Sequence, residues 1–247
     1  MNSPDTTRIF LALLLGVVAA GANLLGGVLI SHRQWSRHYL KYFIALGAGF
    51  MLAASLIEMV PEAMRLAGDS ALFLVLVGYF LVHFFEHTLA PHFHFGEETH
   101  HDEISHAHAS YAALLGLVIH TFFDGVAIAS GLLVSPWLGS VIFVAIFLHK
   151  IPEGFTVASL MLASGQSRMA AFGSSAILGG ATLAGMALMF VLRNTVADAL
   201  PFSAGVTLYV AASDLIPEVN REPGVGMAVL VFLGVLVLVA LKALFRV

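Results

Sequence analysis

The chain has 247 residues, 59% of them hydrophobic and only 11% charged, with a formal net charge of −4. Charged residues make up about a quarter of an ordinary soluble domain, so composition excludes one, and a mean hydropathy of +0.93 places the chain in a bilayer. No block of basic residues invites nucleic acid, and the absence of cysteine removes both a disulfide framework and a thiolate metal site.

Polar residues Met1 to Thr7 precede the first apolar run. That run is too long for a signal-peptide core and lacks a cleavage site, so it reads as a retained helix. A bilayer takes ~20 apolar residues per crossing. Runs of that length are predicted near 8–30, 40–63, 70–91, 110–133, 137–163, 169–192, 200–220 and 224–245. The expected fold is all-α: a polytopic membrane protein of eight helices forming one domain over 1–247, with both termini on one side. Most connections are short, such as Ser135-Pro136. The one sizeable loop, about 91–109, holds His92, His94, His100, His101, His106 and His108 beside Glu97, Glu98, Asp102 and Glu103. An imidazole-rich loop of this kind binds metal without a fixed geometry, so metal capture is expected of it. Lys and Arg outside the spans divide evenly between the two faces. Arg33, Arg37 and Lys41 lean the face of the His-rich loop toward the cytoplasm.

The second span reads Ala48-Gly49-x-x-Leu52-x5-Glu58-x-x-Pro61-Glu62, and the seventh repeats it without a gap as Ala204-Gly205-x-x-Leu208-x5-Asp214-x-x-Pro217-Glu218. By parity these spans run in opposite directions, which is the mark of an inverted repeat; secondary transporters built this way hold substrate near the midplane. Glu58 and Asp214 either line the path to the two surfaces or are solvated near helix ends. Pro61-Glu62 and Pro217-Glu218 are predicted helix terminators. His83, Glu86 and His87 share a face of the third span, either as a metal station at the mouth or as bonds to neighbouring helices. Asn23 is expected to bond across a helix interface, and the nine methionines to pack.

A second repeat carries the chemistry. The fourth span holds His120-x-x-x-Asp124-Gly125-x-x-x-Ala129-Ser130, and the fifth His149-x-x-x-Glu153-Gly154-x-x-x-Ala158-Ser159. Burying an ionisable side chain in hydrocarbon costs roughly 3 kcal/mol or more, so two such pairs demand a reason. Residues i and i+4 share a helix face, and two facing helices bring two imidazoles and two carboxylates around one point. That donor set suits zinc, and equally iron(II), manganese or cadmium. Two carboxylates balance one divalent ion, which in turn keeps them ionised. Gly125 and Gly154 admit another backbone close to the site, and Pro152 frees a carbonyl one turn earlier.

The motifs His120-Thr121-Phe122-Phe123-Asp124-Gly125 and His149-Lys150-Ile151-Pro152-Glu153-Gly154 resemble the signature pair of the ZIP (Zrt/Irt-like) metal transporters, here of bacterial type. The eight spans and the His-rich loop between the third and fourth resemble that family too. The resemblance implies import of divalent metal, with zinc as transported substrate and no separate cofactor. It also implies a cell-membrane homodimer with both termini outside the cytoplasm and the His-rich loop inside. Two positions depart from the family pattern. Thr121 stands where asparagine is common, and Lys150 where an acid or amide is common. The sixth span carries no acid, only small residues such as Ser174, Ser175, Gly179 and Gly180. A single-metal centre is therefore expected, with Lys150 near the place of a second cation and able to pair with Asp124 or Glu153; the alternative is that Lys150 snorkels to the interface.

Two readings from other classes compete. An intramembrane zinc-dependent hydrolase would use buried zinc to activate water, but no H-E-x-x-H run or extra general base stands beside the pairs. A membrane metal sensor accounts for the His-rich loop but not for the buried site. The chain is therefore expected to be a transporter and not an enzyme.

Overall fold

Hydrocarbon offers a backbone no hydrogen-bond partner, so a crossing segment must satisfy its own amides as a helix. The computed structural model describes residues 6–29, 33–89 and 107–245, and they are helical almost throughout. In chain order they are α1 (Thr6–Leu29), α2 (Arg33–Ala53), α3 (Val60–Ala67), α4 (Ser70–Leu89), α5 (Ala107–Val134), α6 (Pro136–Ala163), α7 (Arg168–Val191), α8 (Val196–Tyr209), α9 (Ile216–Arg221) and α10 (Val225–Phe245). A π-helical turn, Ala54–Met59, joins α2 to α3, and a second, Val210–Leu215, joins α8 to α9. Eight stretches of the described residues are long and apolar enough to cross a membrane, with α2–α3 and α8–α9 each counting as one. Short polar turns separate antiparallel neighbours: Ser135 accepts from Leu138 N at 3.1 Å ahead of Pro136, and Ser167 from Ala170 N at 3.1 Å. Both are N-caps that satisfy an amide the helix itself leaves open.

Helix contacts fall into matched sets, α1 with α6 and α5 with α7, α2 with α10 and α4 with α8. Glycines set the closest approaches. A Cβ added to Gly49 would lie 1.9 Å from Val231 O, and one on Gly205 1.9 Å from Val75 O; the reciprocal pair is Gly234 against Leu46 O at 2.2 Å and Gly78 against Phe202 O at 2.0 Å. Each of these contacts becomes the other under the offset that carries Ala48 to Ala204. The inner helices repeat the device. Gly125 meets Thr182 O and Gly154 meets Asn23 O, both at 2.0 Å, while Gly185 meets Phe122 O at 2.0 Å and Gly26 meets Ile151 O at 2.2 Å. The inverted repeat is thus present as eight matched backbone contacts. Without a hydrophobic drive between helices in lipid, such close packing is what holds them together. Gly185 is therefore engaged inside the chain, as is Gly179 against Ala20.

Outer faces are apolar and exposed, as lipid contact requires: Phe10, Leu13 and Val17 on α1, Phe73 and Phe80 on α4, Phe232 and Leu236 on α10. Helix α6 is the most enclosed, with Ala145, Ile146, Val157 and Ala158 fully buried.

The two prolines expected to end the second and seventh spans do not. The helix runs through Pro61 to Ala67 and through Pro217 to Arg221. A proline has no N–H, and its ring collides with the carbonyl four residues back in a regular helix. The preceding π turn widens the hydrogen-bonding pattern and relieves that collision. Each proline then occupies the first turn of the next segment, where a missing N–H costs nothing. Asn23 also departs from expectation. Its backbone carbonyl abuts Gly154, but its buried side-chain amide has no hydrogen-bond partner among the described residues.

Candidate metal centre

The centre lies where α5 and α6 cross. The i, i+4 spacing lays His120 beside Asp124 on α5, with Nε2 3.3 Å from Oδ2. From α6, His149 Nε2 reaches the same oxygen, also at 3.3 Å. The three residues offer ligand atoms all within 4.8 Å of one another, and all three are buried. Ring centroids of the two imidazoles are 5.6 Å apart. On its other edge, His149 Nδ1 lies 3.3 Å from Ala145 O. Both acceptors can take a proton only from the ring, so His149 is held between the Ala145 carbonyl and the Asp124 carboxylate.

Glu153 is turned to different partners. Lys150 Nζ lies 2.6 Å from Glu153 Oε2 and 2.6 Å from Asp124 Oδ2, and 3.3 Å from Thr121 Oγ1. The Thr121 hydroxyl donates to the other Glu153 oxygen, Oε1. Lys150 is wholly buried, so it does not snorkel to the interface. An ammonium is tolerated in such a place only with its charge compensated and its protons bonded, and two carboxylates and a hydroxyl do both. Of the four residues expected to bind metal, the structure draws together His120, Asp124 and His149, and holds Glu153 alongside through Lys150. Behind the site Ser175 of α7 donates to Gly154 O at 2.9 Å.

The remaining sequence candidates are spread along the molecule. Glu58, in the first π turn, receives Lys242 Nζ at 2.8 Å and Trp137 Nε1 at 3.3 Å. Asp214, in the second, is buried. Among the described residues, His83, Glu86 and His87 do not converge into a ligand set. Glu86 accepts from Tyr209 OH at 2.9 Å, and His87 Nδ1 bonds His83 O at 2.9 Å, so this face is tied to α8 and to its own helix. His92, His94, His100, His101 and His106 lie outside the described residues, as does the side chain of His108. Sequence reasoning missed Trp137, Lys242 and Tyr209. The repeat offset could have found one of them, since it carries Glu86 to Lys242.

Fold and site together define a polytopic membrane protein with a cluster of imidazoles and carboxylates buried among its spans. A family profile described as "ZIP Zinc transporter" matches residues 96–244, and the chain belongs to that family. Zinc transporter ZIP13 of Homo sapiens is 32% identical over 127 residues, covering 46% of this chain and 34% of the relative. Zinc transporter ZIP9-A of Xenopus laevis is 33% identical over 141 residues, 49% of this chain and 46% of the relative. Zinc transporter SLC39A7 of Mus musculus is 28% identical over 147 residues, 55% and 31%. The matches thus span less than half the length of these curated relatives.

Proposed function

We propose that this protein moves divalent metal ions, zinc foremost, across the cell membrane into the cytoplasm by alternating access through one site built from His120, Asp124, His149 and Glu153. The carrying observation is that ligands from two antiparallel copies of one motif meet on a single buried oxygen, Asp124 Oδ2. The reading includes a single domain over the whole chain, a homodimer, both termini outside the cytoplasm and a cytoplasmic His-rich loop that captures metal. Glu58 and Asp214 stand toward the two ends of the path.

Charge argues for one ion at a time. Two carboxylates and one ammonium leave the buried centre with a single net negative charge when the imidazoles are neutral. One divalent ion takes it to a single positive charge, whereas a second would leave a large uncompensated charge in low dielectric. Lys150 thereby weakens the hold on the ion, which suits a site that must release it. Binding needs unprotonated imidazoles, so affinity falls as the medium becomes acid.

Uptake into liposomes carrying the purified protein and a trapped zinc dye tests the proposal. Wild type is expected to take up zinc and Asp124→Ala to take up none. Tight zinc binding without flux of zinc, cadmium or manganese would favour a sensor or a hydrolase instead.

A further inference from the structure

The repeat makes the two ends of the molecule equivalent in backbone and unequal in charge. The offset from Ala48 to Ala204 carries Glu58 to Asp214 and Glu86 to Lys242. At one end the carboxylate of the π turn is met by an ammonium, Lys242. At the other, the matching position on α4 is a carboxylate, Glu86, which accepts from Tyr209.

Three separate elements meet on Glu58. They are its own π turn, the last turn of α10 through Lys242, and the first turn of α6 through Trp137. The Trp137 ring also packs on Phe245 of α10, with centroids 5.4 Å apart. Helix α6 carries His149, Lys150 and Glu153, so these bonds tie the start of a site-bearing helix to the α2–α10 pair. Below the cluster, Ser55 is fully buried one turn further in. The Glu58 side chain is 8% exposed and fixed on a helix interior, while Lys242 is 37% exposed on a long stem. Of the two, Lys242 can swing out to the interface.

We infer that Glu58, Lys242 and Trp137 form a latch that closes the metal pathway at the end where α6 begins. Opening it requires Lys242 to leave Glu58, and an arriving divalent cation supplies the replacement charge. The purpose of the latch rests on the transport reading; its test does not use metal flux.

The chain has no cysteine, so single reporters can be placed without background. Ser55→Cys reports the latched end. Ala211→Cys, at the matching and equally buried position, reports the other. The rate of modification by a cationic methanethiosulfonate reagent is measured on the full chain in detergent without metal. Lys242→Ala is expected to speed modification of the Ser55→Cys reporter about tenfold, through loss of one ion pair at a largely buried carboxylate, and to leave the Ala211→Cys reporter unchanged. Glu58→Gln, which keeps the side chain's shape, gives a change of the same sign. The exchange Glu58→Lys with Lys242→Glu returns the reporter to its protected rate. An unchanged rate in Lys242→Ala, an equal rise at both reporters, or an exchange variant that stays open would each overturn the latch.

Discussion

Asp124 and Glu153 occupy matching positions of the inverted repeat, each four residues after a histidine and each followed by a glycine that seats a neighbouring backbone. Their partners differ. Asp124 gathers both imidazoles and Lys150 on one oxygen, while Glu153 takes Lys150 on one oxygen and Thr121 on the other. The cause is one pair of positions, since the offset that carries His120 to His149 carries Thr121 to Lys150. A hydroxyl on α5 and an ammonium on α6 make a symmetric backbone into an asymmetric site. The same thing happens at the ends of the molecule, where Lys242 matches Glu86. In both places a lysine breaks the repeat, and direction enters a two-fold scaffold through charge rather than through fold.

The most disruptive test of that comparison restores the repeat. Lys150→Thr gives both motifs the same residue and leaves Asp124 and Glu153 facing each other without a cation. Removing one partner of a buried ionic cluster costs about 3–5 kcal/mol. The metal-free variant is expected to lose stability on that scale in detergent melts, and a single zinc ion, which balances the two carboxylates, to restore it. A variant that melts like wild type without zinc would mean that Lys150 carries no structural charge.

Next in size is the inequality of the two acids. Asp124→Ala is expected to weaken zinc binding about a hundredfold, because both histidines lose their common partner. Glu153→Ala, which leaves the His120–Asp124–His149 cluster in place, costs about tenfold. Equal losses in the two variants, read by competition with a zinc dye, would restore a symmetric four-ligand centre.

The smallest effect belongs to Thr121. Thr121→Val keeps the shape and removes the hydroxyl that orients Glu153. The loss of one buried hydrogen bond to a carboxylate is worth about 1.5–3 kcal/mol of stability at most. Lys150 still holds Glu153, so the expected change in zinc affinity is only about threefold. A larger drop would make Thr121 a direct participant.

Much of this was legible along the chain. The spans could be read because bilayer thickness fixes their length, and the His pairs because carboxylates and imidazoles seldom sit in hydrocarbon without a task. The motif around Ala48 and Ala204 announced the repeat. The proline reading failed because a π turn is set by hydrogen bonding over several residues rather than by the proline alone. His83, Glu86 and His87 do share a face as spaced, but the partner across that face is Tyr209, more than a hundred residues away.

By itself the sequence determined which segments lie in the membrane, which helix faces carry the paired histidines and carboxylates, and that spans repeat in opposite senses. These follow from local periodicity and from the cost of polar groups in lipid, and neither needs a neighbour. Tertiary structure decided where each charge is spent: Lys150 between two carboxylates, Lys242 on Glu58, and both imidazoles on Asp124. Charge pairing inside a bundle depends on which helices cross and at what depth. Here that is set by eight glycines whose contacts lie on other helices.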